Sequence, residues 1–315
     1  MSSGVVAVTG LGVLAPLGVG REAFSRCLAA GAYQPREPRL FDASIYETQV
    51  AAEVPEFDLK QLVETPKTYL DRCSALTLAA CFLAVRDASL PWQDSDADRR
   101  GLSHGTAFGC LDSLLAVTGR MRRQGTRAAS PMIFTHAFVN SPASLAAIEY
   151  SLRGSAATFA DGSLSGAEAV AYGQGRVAAG DVDFCLAGGA EALSEALYAA
   201  LDEEGEAGDG FVPAEGAAML VLEPPERAER RGARPLGLLL GCAVAGSAGD
   251  ARAVLGAREE DVWEPPVDWG DAFGAQFPLL LSAALCAPDA RDGDRLLVVL
   301  ACELGAAAAL VEVAR

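Results

Sequence analysis

Histidine and lysine are nearly missing from this chain. Of its 315 residues two are histidine, His104 and His136, and two are lysine, Lys60 and Lys67, so its basic charge is almost all arginine. Eight cysteines are scattered along it and no two form a Cys-x-x-Cys pair. A zinc site would therefore have almost no ligands to draw on, and the cysteines read as buried free thiols rather than a disulfide framework. Nothing in the sequence asks for a metal or a cofactor. No apolar run reaches the length of a bilayer-spanning helix without Gly, Pro or charge intervening, and "MSSGVVAVTG" lacks a basic n-region. The expectation is a soluble, cytoplasmic protein. A net charge of −17 argues against nucleic acid and anionic membrane as partners.

What is present is apolar residue in quantity, 51% of the chain, enough for a sizeable core. "GVVAVTGLGVLAPLG" is an apolar β-run that ends in Gly10, Gly12 and Gly18. It is a weak dinucleotide-loop signal, because Ala15 stands where Gly-x-Gly-x-x-Gly needs its third glycine. "REAFSRCLAAG" reads as a helix closed by Gly31, and "PREPRLFDASIYETQVAAEVPEFD" as an irregular segment with one short strand. "KTYLDRCSALTLAACFLAVRDASL" is a long helix on a 3.6-residue period. Beyond it come a strand and glycine turn at "LSHGTAFGC", helices at "LDSLLAVTGRMRRQG" and "NSPASLAAIEYSL", and a buried strand at "SAATFA". "GFVPAEGAAMLVLE" and "PLGLLLGCAVAG" read as a hairpin or neighbouring pair. A helix, "GAQFPLLLSAALC", and two strands, "DRLLVVLAC" and "AAALVEVA", close the chain. Strands alternating with helices predict a layered α/β domain. "GRMRRQGTR" gathers Arg120, Arg122, Arg123 and Arg127, either a solvated helix face or a docking patch for an acidic partner.

The stretch "TFADGSLSGAEAVAYGQGRVAAGDVDFCLAGGAEAL" has the shape of a nucleophile turn: strand, small-residue turn, then a helix from about Ser165 to Ala179, with Ser163 at the tip. A serine hydroxyl is hard to ionise, and a helix dipole alone does not activate it; it needs an adjacent base. "DGSLSG" is not a hydrolase elbow, since Gly-x-Ser-x-Gly would place serine where Leu164 stands.

The order and spelling of these pieces resemble the β-ketoacyl synthases of the thiolase fold, the branch that elongates acyl chains on carrier protein. "VAVTGLGVLAPLG", "RLFDASIYETQVAAEVPEFD", "YLDRCSALTLAA", "VAAGDVDFCLAGGAEAL" and "GDGFVPAEGAAMLVLE" are similar to that family's motifs, in its order. The resemblance implies a thiolase-like layered fold, mixed sheets with helices between and outside them. Residues 1–235 would form the family's first half and residues 236–315 a shortened second half of the same domain. The family's nucleophile turn reads Thr-Ala-Cys-x-x-Gly; here Asp161, Gly162, Ser163, Leu164, Ser165 and Gly166 occupy those places. Of the family's two second-half histidines, one motif is absent, and the position of the other falls on Asp271 in "WGDAFGA". The family's final glycine-rich loop is replaced by "CELGA", Cys302 to Ala306.

Cysteine and both histidines are thus gone together, and condensation needs all three. The resemblance implies a ketosynthase-like, non-condensing subunit, a pseudoenzyme similar to the chain length factors of type II polyketide systems. It would form a heterodimer with an active ketosynthase, or a homodimer, in polyketide or fatty-acid-type biosynthesis and shape the acyl tunnel. The strand holding Thr158 and Phe159 would pair across the dimer axis. Phe134, His136 and Phe138 would lie beside the interface and tunnel, and Arg120, Arg122, Arg123 and Arg127 would offer a site for acyl carrier protein. The alternatives are an acyl-carrier-protein hydrolase or acyltransferase that uses Ser163, polarised by Asp161 or Asp271, and a free-standing carrier-binding scaffold.

Overall fold

The computed structural model of the protein describes residues 4–63, 69–92, 95–205 and 210–315. Its elements are, in order, β1 (Val6–Ala15), β2 (Gly18–Val19), α1 (Arg21–Ala30), α2 (Leu59–Leu62), α3 (Arg72–Asp87), β3 (Arg100–Gly105), α4 (Leu111–Gln124) and α5 (Pro131–Phe134). They continue as α6 (Ser141–Glu149), β4 (Ala156–Phe159), α7 (Ser165–Ala178), β5 (Phe184–Glu191), α8 (Glu195–Glu203), β6 (Gly216–Glu223) and α9 (Pro225–Arg230). The last are β7 (Gly237–Ala245), α10 (Ala248–Leu255), α11 (Gln276–Leu285), β8 (Arg295–Cys302) and β9 (Gly305–Val313). Lys67 of the long-helix reading and Gly208 and Asp209 of the "GDGFVP" motif lie outside the described residues.

One mixed sheet runs β4-β3-β5-β6-β1-β7-β9-β8, with β2 paired to β1. β3 is parallel to β4 and β5, as helix crossovers require, and the remaining neighbours are antiparallel. β1 is buried at every position because it is central and covered on both faces. α3 packs on one face, against β1, β6 and β5. α7 lies on the other, touching β3 and β5 in one arm of the sheet and β7 in the next. α11, whose neighbours are β6, β8, β9 and α7, is buried all round, as its nearly unbroken apolar sequence dictates. α10 covers β7 and β9 from outside. The layers are therefore helix, sheet, helix pair, sheet and helix.

Three expectations are corrected. The strands β6 and β7 are not partners: β1 lies between them and pairs with both. Both are apolar runs suited to a doubly covered sheet, and such runs carry no information about neighbours. The segment from Pro35 to Asp58 holds isolated bridges, Arg36 to Ala51 and Ala52 to Ala214, rather than a strand. The glycines of the first strand serve packing: a Cβ on Gly12 would collide with the Ala80 carbonyl, and one on Gly10 with the backbone at Ala84 and Ala88. They let α3 lie directly on β1, which removes the dinucleotide reading. α1 does end on Gly31, at φ 62°. None of the described helices is long and apolar enough to cross a membrane.

Candidate functional site

The turn before α7 is held by a residue the sequence reading passed over. The Ser165 hydroxyl accepts from the Asp161 N–H at 2.7 Å and donates to the Gly162 carbonyl at 2.7 Å. Gly162 takes φ +57°, a conformation that suits glycine. Ser163, at the tip, is half-buried, and its hydroxyl bonds to no described group. Leu304 in the β8–β9 turn overhangs it: its Cδ1 lies 2.9 Å from where a Cβ on Gly162 would stand.

Behind the turn, glycines bring three backbone segments together. A Cβ on Gly105, at the end of β3, would strike the backbone of Ser165 and Gly166; one on Gly166 would strike the Gly274 carbonyl; one on Gly274 would strike Thr106 and Ala107. Glu191, the last residue of β5, closes this junction. Its fully buried carboxylate accepts from the Ala107 N–H at 2.6 Å, the Phe108 N–H at 3.2 Å and the Thr106 hydroxyl at 3.1 Å. Burial wins over these bonds and pushes its pKa up to about 7. The signal for Glu191 was available: it is the one charged residue in an otherwise apolar, wholly buried strand.

Asp271 sits at the start of the segment that contains Gly274. Its backbone pairs with Val212 and Ala214, and its carboxylate accepts from the Phe273 N–H at 2.7 Å, capping the turn in which Phe273 is held at φ +47°. Burial, with Asp268 adding to it, raises its pKa. A carboxylate here accepts where an imidazole would donate, and it repels an oxyanion. Asp161 beside Ser163, and Glu168 one turn into α7, place more negative charge near the tip; burial and Asp161 raise the pKa of Glu168. The helix dipole that would favour an anion at Ser163 is opposed by these carboxylates.

Neither histidine serves the turn. Alternation along β3 puts His104 on the face opposite the one on which Gly105 meets Ser165. His104 is fully buried, with Nε2 at 3.0 Å from the Thr77 hydroxyl of α3, and burial lowers its pKa to about 4. His136 packs edge-on against Tyr69, ring centroids 5.5 Å apart.

The residues expected at a tunnel and interface lie on α5, just after it, and on β4. Phe134 and Phe138 are 45% and 46% exposed, their rings perpendicular at 4.9 Å. Phe108, Leu114, Leu115, Met132 and Val139 are further exposed apolar residues in and around α4 and α5. Thr158 and Phe159 lie on β4, which is an edge strand with no buried residue rather than the buried strand expected, since it has a neighbour on one side only. Thr158 is in register with His104 and Phe159 stands against Tyr172 at 5.7 Å. Arg120, Arg122, Arg123 and Arg127 are all exposed and make no ion pair among the described residues.

The family profile described as beta-ketoacyl synthase, N-terminal domain, matches residues 4–228. The chain belongs to the β-ketoacyl synthase family. The tetracenomycin polyketide synthase ketoacyl synthase alpha subunit of Streptomyces glaucescens is 31% identical over 270 residues, 77% of this chain and 63% of that protein. The 3-oxoacyl-[acyl-carrier-protein] synthase 2 of Coxiella burnetii is 30% identical over 264 residues, 77% of this chain and 63% of the relative. The chain thus spans under two thirds of the length of these β-ketoacyl synthases. Among solved structures, the ishigamide ketosynthase/chain length factor superposes with a TM-score of 0.86 at 22% identity, over 99% of both chains. A type II polyketide ketosynthase in complex with its acyl-carrier protein gives 0.80 at 19% identity, over 98% of this chain and 99% of that one. At these identities the likeness establishes the thiolase fold of the ketosynthases, as expected.

The two buried titratable groups near the β3 strand give opposite pH signatures. Glu191, raised from 4.5 to about 7, favours the protonated native state, so its contribution is full below pH 4.5 and is lost as pH rises through 7. His104, lowered from 6.5 to about 4, favours the neutral native state, so its contribution is full above pH 6.5 and is lost as pH falls through 4. Between pH 4.5 and 6.5 they cancel. Relative to the native protein, Glu191→Gln should therefore gain stability with rising pH in that window, by about 1.4 kcal/mol per pH unit, and His104→Gln should lose about as much. Urea unfolding at a series of pH values measures both slopes; parallel curves for all three proteins would refute the assignment.

Proposed function

We propose that this chain is a non-condensing ketosynthase-like subunit, related in role to a chain length factor. It pairs with an active β-ketoacyl synthase in the cytoplasm and shapes that partner's acyl tunnel in polyketide or fatty-acid-type biosynthesis. The carrying observation is the site: the hydroxyl of Ser163, at the family's cysteine position, bonds to no base among the described residues, and Asp271 at a family histidine position is spent on capping the turn that follows it. Residues 1–235 then serve as the family half that makes the interface, and residues 236–315 as a shortened second half. Support for pairing comes from the edge strand β4 and from the exposed aromatic pair Phe134 and Phe138. A face of this kind asks to be covered. The likeness to the ishigamide ketosynthase/chain length factor, over 99% of both chains, supports this reading. The unpaired arginines of α4 and Arg127 fit an acidic carrier protein. An acyl hydrolase or acyltransferase at Ser163 draws no support from a hydroxyl without a bonded base.

Co-expression with a cysteine-containing type II ketosynthase from the same biosynthetic system, followed by native mass spectrometry, tests pairing. A one-to-one complex is expected. A stable monomer at micromolar concentration that ignores that synthase would contradict it.

A further inference from the structure

The last charged residue of β6 is Glu223, fully buried, and three arginines of the following segment gather at that end of the sheet. Arg231 grips the carboxylate through Nη2 at 2.5 Å and Nε at 3.1 Å, and gives Nη1 to the Ala88 carbonyl at 2.9 Å. The Thr9 hydroxyl fills another position on Glu223 at 2.5 Å. Arg227 stands 3.3 Å from the same carboxylate, but its Nε and Nη2 are buried and donate to no acceptor. Arg230 is exposed and forms no ion pair. Asp183, which also feels Arg227, is already bonded to Arg99 at 2.6 Å and Ser95 at 2.8 Å, and Glu226 and Glu229 lie on the same helix as Arg227 and Arg230. These three arginines and Pro91 line a cavity of about 220 Å³.

Among the described residues the cavity is lined by three guanidinium groups and no carboxylate, in a chain whose net charge is −17. A surplus of arginine around a concave, partly dry space, with N–H donors left over, is the arrangement that binds a doubly charged oxyanion. The volume corresponds to about seven waters at roughly 30 Å³ each, room for a phosphate group but not for a large ligand. We propose that Arg227, Arg230 and Arg231 form an anion site for a phosphate group, either inorganic phosphate or the terminal phosphate of a phosphomonoester. Arg231 is fixed by Glu223 and Ala88 and forms the floor. Arg227 supplies the buried donors, and Arg230 closes the site from solvent. It is built where β6 ends, at Glu223, whereas the Ser163 turn abuts the other end of the parallel strands, so occupancy is independent of the role proposed for Ser163.

Isothermal titration at constant ionic strength, with inorganic phosphate, with glycerol phosphate and with chloride as the control, tests this. Saturable binding of phosphate with a Kd of about 1 mM or lower is expected. Because Arg230 holds no structural contact, Arg230→Ala should keep the melting temperature in chloride and weaken phosphate on the order of tenfold. Arg230→Lys should recover only part of the loss, since an ammonium lacks the planar fork. Tighter binding of glycerol phosphate than of phosphate identifies a monoester as the ligand, and the reverse identifies the free ion. No saturable signal beyond chloride, or equal phosphate affinity in Arg230→Ala, overturns the site.

Discussion

Given acyl- and malonyl-loaded carrier protein, the purified chain should form no β-ketoacyl product, and Ser163→Cys should leave it at background. The substitution supplies the thiol but not its surroundings. The family's histidines would donate protons to the condensing groups; Asp271, proposed for one of their places, accepts a hydrogen bond from the Phe273 N–H instead. Proton-transfer catalysis by a positioned group contributes about 10²–10⁴-fold, and a lost oxyanion donor costs about 10²–10³-fold. The two deficits together place a Ser163→Cys protein many orders of magnitude below a working enzyme. Asp161 and Glu168 also oppose thiolate formation at the helix start, since negative charge nearby raises a thiol pKa. Condensation by Ser163→Cys alone, measured by mass spectrometry of the carrier-bound product, would mean that the chain keeps a general acid or base not identified at this turn.

Truncating the aromatic pair should alter what an assembled complex makes. Phe134 and Phe138 are half-exposed on the surface proposed to meet the partner, and their edge-to-face contact holds each ring in place. A ring that ends a tunnel limits chain length by volume. Replacing Phe134 or Phe138 by alanine opens space in which each added methylene gains roughly 0.8 kcal/mol of burial, about fourfold in partition per methylene. The expected result is longer products with the early condensations nearly unchanged in rate. If both variants remain folded and paired and the product distribution stays fixed, the rings serve the interface and not the tunnel.

Much of this was legible in the sequence because the informative signals were local. The small-residue turn, the helix from Ser165 and the long helix α3 all follow from spacing and from glycine placement. The expectation that condensing chemistry is lost also rests on local spelling, Ser163 and Asp271 in their motifs. What sequence could not give was neighbourhood. β6 and β7 look like a pair but are separated by β1, because a doubly buried strand has no polar face to mark its partner. His104 spells a promising His-Gly-Thr, yet alternation on β3 turns it toward Thr77 and away from α7. Asp271 was found by position in a motif, but its capping bond to Phe273 depends on the positive φ of that residue, which nothing in "WGDAFGA" announces. Ser165, read only as the start of the helix, ties the turn together through Asp161 and Gly162, which its place in the motif does not announce.

The central claim is that chemistry resides in the partner and not at Ser163. The most direct measurement reconstitutes this chain with its cysteine-containing ketosynthase and compares product formation by the native pair, by a pair carrying Ser163→Ala and by a pair whose synthase has lost its own cysteine. Equal rates for the first two and none for the third are predicted; loss of product on Ser163→Ala, with the complex intact, would contradict it.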